Sequence, residues 1–128
     1  MFQQISLAIF FLFFLYTGLH GLAKPRTLAR LLSLTPDGES GVVEIRAQYG
    51  GFFFAVALSQ VAPLALGKGY QQALIISLVV FGGLIFGRVA SVLIGARWSE
   101  ISGAIRMLFT VDALGFLLAA LALSLTAT

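Results

Sequence analysis

Four stretches of this chain stay apolar long enough to cross a bilayer, whose hydrocarbon core asks for about 20 residues of helix. The first runs from Ile5 to Ala23, broken only by Ser6, Tyr16, Thr17 and His20, and stops at Lys24-Pro25-Arg26, where cations and a proline end a helix. It is read as a span rather than a cleaved signal peptide. Gly21-Leu22-Ala23 has the look of a cleavage site, but the Met-Phe-Gln-Gln start has no positive charge and the apolar run is long. Between Arg26 and Leu34 the pattern changes: Arg26 and Arg30 share one face, with Leu28, Leu31 and Leu32 largely opposite, which predicts a short helix in the headgroup region. Thr35 to Gly41, with Pro36, Asp37 and Gly38, reads as a turn.

The second span begins near Val42 and reaches about Leu66, with Glu44, Arg46, Gln48 and Tyr49 in its first turns and Pro63 near its end. Gly67-Lys-Gly-Tyr70 is a tight loop, too short and too poor in ligands to cradle a phosphate. The third span covers about 72–96 and contains Arg88. Arg97 to Ser102 forms the next turn, with Trp98 as an interfacial anchor and Ser99 or Ser102 as the N-cap of a fourth span over about 103–125, which holds Arg106 and Asp112. The predicted fold is all-α: an integral membrane four-helix bundle of one domain over 1–128, with a short interfacial amphipathic helix at 26–34 after the first span.

Composition agrees with this pattern. The 128 residues are 59% hydrophobic and 10% charged, with a mean hydropathy of +1.02, whereas a soluble domain carries about 25% charged residues. The chain has no Cys, which excludes disulfides, thiolate metal sites and iron–sulfur clusters. The net charge of +3 speaks to orientation and anionic lipid, and no basic stripe points to nucleic acid. Lys24, Arg26, Arg30 and Arg97 gather on one side, with Arg106 close by, while Lys68 and the termini lie on the other. The basic side is therefore expected to be cytoplasmic, with both termini extracytoplasmic, in a cell membrane.

Small residues recur every fourth position in two spans: Ala47, Gly51, Ala55 and Ser59 in the second, and Gly83, Gly87, Ser91 and Gly95 in the third. Such stripes let helix backbones approach closely in lipid, and they predict direct packing of these two spans. The polar groups are also unevenly placed. Counted from their loops at 1.5 Å per residue, Arg88 and Asp112 lie about 12 Å inside the membrane. His20, Glu44, Arg46 and Tyr49 sit nearer the same surface, whereas the other half holds Gln60, a few hydroxyls and terminal residues. A charge at helix centre costs about 2.5–3.5 kcal/mol on insertion scales, so Arg88 and Asp112 are expected to be paired or wet. An Arg88–Asp112 bridge is the simplest pairing and Arg46 with Glu44 or Asp112 the next. Tyr16 and His20 lie on one face of the first span and can join the cluster.

The block Glu44-Ile-Arg-Ala-Gln-Tyr-Gly-Gly51, followed by Gly87-Arg88-x-x-Ser91, resembles the bacterial DUF4345 family of small four-helix membrane proteins, over roughly residues 42–125. The resemblance implies that Glu44, Arg46, Tyr49, Gly50, Gly51, Arg88 and Ser91 occupy that family's characteristic positions, and it supplies no reaction. Asp112 and His20 lie outside the two blocks and rest on the depth argument.

No catalytic residue, metal site or cofactor is expected: one His cannot supply the paired axial ligands of a membrane haem, and no nucleophile elbow is present. A structural salt-bridge network is the plain reading of the polar cluster. The expected function is non-enzymatic: binding of a lipid or small amphiphile, or docking onto another membrane subunit or a second copy, through Glu44, Arg46, Tyr49, Arg88, Ser91, Asp112 and His20. Transport or proton-coupled permeation through a homo-oligomer is the alternative, and lipid modification by an intramembrane enzyme a third.

Overall fold

The computed structural model describes residues 1–126; the last two residues, at the C-terminal end read above as facing outward, lie outside the described residues. Every element among the described residues is helical. Helix α1 covers Phe2–Ala23, α2 Pro25–Leu31 and α3 Gly38–Ile45; a π-helical turn at Arg46–Gly51 joins α3 to α4 (Phe52–Leu66), and α5 (Tyr70–Ile94) and α6 (Gly103–Thr126) follow. Among the described residues four rods are long and apolar enough to span a membrane: α1, the continuous 29-residue rod Gly38–Leu66, α5 and α6. The protein is a multi-pass membrane protein. Lys24, Arg26, Arg30, Arg97 and Arg106 mark one end of the bundle, called the basic end below.

The second rod starts at Gly38, inside the stretch read as a turn, because Asp37 takes an extended N-cap conformation (φ −91°, ψ 103°) and Glu39 falls in the first turn. Turn chemistry and helix-start chemistry share the same residues, and an acid in the first turn favours the helix dipole. At the other end the chain reverses through Gly67 (φ 71°) and Gly69 (φ 87°), left-handed positions that glycine adopts without strain. Ser102 caps α6, its Oγ accepting from the Ile105 N–H at 3.3 Å.

The bundle is built from two hairpins. Helix α1 packs chiefly on α4 and the π turn, and α5 chiefly on α6, while α4 meets α5 over a shorter seam. The small-residue stripes do not make that seam. Gly83, Gly87 and Gly95 have nothing within 4 Å of an added Cβ, Gly51 has only its own rod's Arg46 carbonyl, and Ala47, Ala55 and Ser91 are exposed. The second and third spans do meet, through Gln60 with Ala73 and Ser77, but not along the predicted stripes, and the more extensive contact of the second rod is with α1. A Cβ on Gly18 would meet Phe54 N at 2.6 Å and Gly50 O at 3.1 Å, and one on Gly21 would meet Gly50 N at 2.7 Å. Backbones cross there at a distance only glycine permits.

The hairpins join through aromatics and one polar bridge. Phe81 of α5 lies 5.4 Å from the Phe10 ring and 5.1 Å from Phe14, and it covers Gly115 of α6. In the half away from the basic end, Gln60 is fully buried, donates to the Ala73 carbonyl at 3.1 Å and accepts from Ser77 Oγ at 2.7 Å. Both of its polar atoms are satisfied, as a buried amide requires.

Candidate functional site

At the basic end the four rods splay around a cavity of about 320 Å³. Helix α1 contributes Phe13, Tyr16, Thr17 and His20, spaced at three and four residues on one helical face. The second rod contributes Tyr49, from the π turn, and Phe53 one turn later; α5 contributes Leu84 and Arg88, again four apart. The α6 wall is Ala104, Met107, Leu108, Val111 and Asp112, and α2 closes the end with Leu28 and Leu31, joined by Leu32 just after it. The rim residues Tyr16, Leu31 and Met107 are exposed, which puts the opening on the flank between α1 and α6.

Helix α2 takes this position because its two faces differ. Pro25, Leu28 and Ala29 are buried while Arg26 and Arg30 are exposed. The turn after it is tied to the far side of the cavity: Ser33, with a left-handed φ of 61°, donates its hydroxyl to Ser102 Oγ at 3.0 Å.

Arg88 and Asp112 form an ion pair across α5 and α6, inside the cavity wall. The Asp112 side chain is 2% exposed and the Arg88 side chain 22%. The carboxylate is therefore enclosed, whereas the Arg88 side chain, which also lines the cavity, is partly exposed. The Tyr16 and His20 rings stand edge to face at 5.8 Å, and Tyr49 stacks on Phe53 at 6.3 Å.

Of the residues singled out in the sequence, His20, Tyr49, Arg88 and Asp112 meet here, together with Tyr16. Glu44, Arg46 and Ser91 do not line the cavity. Glu44 is exposed and accepts from Gln48 Nε2 at 3.3 Å; Ser91 is exposed and donates to its own helix at Gly87 O. Arg46 pairs with neither Glu44 nor Asp112: its Nε donates to the Leu22 carbonyl at 3.2 Å, satisfying an acceptor left free at the end of α1. The block from Glu44 to Gly51 is where the rod widens into the π turn, with the Phe52 N–H bonded to the Ala47 carbonyl five residues back. Single π turns inside α-helices recur at functional sites.

The apolar wall of Phe13, Leu84, Leu108 and Val111, and the cover from α2, were not legible beforehand. Their signal is ordinary hydrophobicity, and only the crossing of the helices selects them from many equivalent residues. Among the described residues no group of three His, Cys, Asp or Glu side chains is placed to hold a metal ion.

The family described as "Domain of unknown function (DUF4345)" matches residues 2–121. The match includes α1 and α2, and so extends well before the 42–125 stretch on which the resemblance rested. No curated protein and no solved structure matches the chain.

Proposed function

The chain belongs to the DUF4345 family, whose description carries no activity, and from the geometry of its site we propose that it is a non-enzymatic membrane protein that holds a lipid or small amphiphile in the cavity at the basic end. The observation that carries this reading is the cavity itself, which combines an ion pair, two phenols and an imidazole with an apolar wall and a lateral opening. Small-molecule sites are mostly apolar with a few convergent polar groups. The excess of Lys and Arg at this end supports a cytoplasmic placement, with the cavity in the inner leaflet of a bacterial cell membrane and both chain ends outside. Beyond the cavity, the other half is filled by Phe10, Phe14 and Phe81 and by the satisfied Gln60–Ser77 bridge, which favours holding a ligand over conducting one through a single copy.

The test is extraction in native lipid followed by mass spectrometry of what stays bound. Val111→Trp fills the wall and is expected to lose the bound amphiphile while keeping helical content and thermal stability. Retention of every bound species by a well-folded Val111→Trp protein counts against the reading.

Docking of another membrane helix, from a partner subunit or a second copy, is a second reading, favoured by the open space at Gly83 and Gly87. Because the chain has no Cys, Gly87→Cys is a clean reporter. A disulfide-linked dimer formed in native membranes supports self-association, and its absence speaks against a symmetric contact at this face.

A further inference from the structure

We infer that the amphiphile held in this cavity has an uncharged polar end, a hydroxyl or carbonyl group on an apolar body, and that Asp112 sets this selectivity by neutralising Arg88. The inference rests on the reading of the cavity as a ligand site and adds the class of ligand.

The ionisable side chains in the lining, apart from the two phenols, are His20, Arg88 and Asp112. Arg88 and Asp112 are one cation and one anion held together, and their charges cancel. The other basic residues of this end, Lys24, Arg26, Arg30, Arg46, Arg97 and Arg106, are all exposed and line none of the cavity. A phosphate therefore meets its natural partners outside, at the surface, and not within.

To bind inside, an anionic headgroup has to draw Arg88 away from Asp112. That leaves a carboxylate that is 2% exposed without its counter-ion, beside a second negative charge. Leaving a buried charge unpaired is the expensive outcome in a low-dielectric site, more expensive than never having made the pair. An uncharged head imposes no such cost. Arg88 keeps its carboxylate, and as a lining residue with five N–H donors it has others to offer a carbonyl or hydroxyl oxygen. Tyr16, Tyr49 and His20 supply further hydroxyl and imidazole groups, and the apolar body lies against Phe13, Leu84 and Leu108.

Two probes that differ only in a phosphate test this: dioctanoylglycerol and dioctanoyl phosphatidic acid, titrated against the full-length detergent-solubilised chain with native mass spectrometry and thermal shift as readouts. The natural sequence is expected to bind dioctanoylglycerol at least tenfold more tightly. Asp112→Asn, which keeps the shape and releases the Arg88 charge, is expected to reverse the preference. The doubly neutral Arg88→Gln, Asp112→Asn chain is expected to retain the preference for dioctanoylglycerol, and it serves also if the single variant does not fold. Tighter binding of phosphatidic acid by the natural sequence, abolished by Val111→Trp, overturns the uncharged-head inference and leaves the cavity reading standing. A folded Asp112→Asn chain with unchanged preference overturns the role given to Asp112. Binding of neither probe, by any of these chains, overturns the inference and counts against the cavity reading as well.

Discussion

At the scale of single residues, the Arg88–Asp112 pair governs both the stability and the chemistry of the basic end. The two charges are unequal in their surroundings: Asp112 is enclosed and Arg88 is partly open. Removing the cation strands the more deeply buried partner, so Arg88→Ala is expected to cost about 3 kcal/mol, the lower part of the range for breaking a buried pair. Replacing both charges by apolar groups of similar volume, Arg88→Met with Asp112→Leu, is expected to restore most of that loss, because no unpaired charge remains. Thermal unfolding of the three chains in the same lipid checks the ordering. Equal loss in the single and double variants would mean that the pair contributes through shape and not through charge compensation.

At the scale of helices, glycine has two distinct uses in this chain. Gly18, Gly21 and Gly50 lie where α1 crosses the second rod, with backbone atoms inside 3 Å of an added Cβ at both Gly18 and Gly21. Gly83 and Gly87 face open space. In lipid, helices gain no hydrophobic term from meeting, so contact distance decides association. Gly21→Ala is expected to separate the pair and destabilise the protein by about 2 kcal/mol, of the order found for overpacked sites. Gly83→Ala meets nothing and is expected to be neutral or to stabilise by up to about 1 kcal/mol through helix propensity. Reversible unfolding in mixed micelles measures both. A Gly83→Ala loss as large as that of Gly21→Ala would show that the open face is covered by a partner in the membrane.

At the scale of the whole molecule, the bundle is two helical hairpins joined across the Phe10–Phe14–Phe81 rings, the Gln60–Ser77 bridge and the Gly67–Gly69 loop. Each hairpin brings its own polar groups to the cavity, Tyr16, His20 and Tyr49 from one and Arg88 and Asp112 from the other. The site therefore exists only when the hairpins dock. Fragments 1–67 and 68–128, expressed together, are expected to associate and co-purify, since the break severs the loop and leaves the ring contacts and the Gln60–Ser77 bridge intact. Phe81→Ala in the second fragment removes the ring shared by both hairpins and is expected to abolish co-purification. Assembly that survives Phe81→Ala would place the joining energy in the polar bridge instead.

Much of this was legible in the residues themselves. Length and continuity of apolar runs establish four spans without any knowledge of packing, because the bilayer sets its demand on one helix at a time. Counting inward from the loops likewise brings Arg88 and Asp112 to one depth, since helical rise is a local constant, and on neighbouring antiparallel spans one depth is close to one place. Which faces meet was not legible. Stripes of small residues occur at Gly18–Gly21 and at Gly83–Gly87 alike, and spacing by itself gives no reason to prefer either. Arg46 and Glu44 share depth with the cavity yet point elsewhere, because the rotation of the second rod is settled by its contact with α1 at Gly50. The membrane-spanning character of the protein is thus a property of the sequence alone, whereas the identity of the cavity wall is a property of helix pairing, decided by how closely backbones can approach.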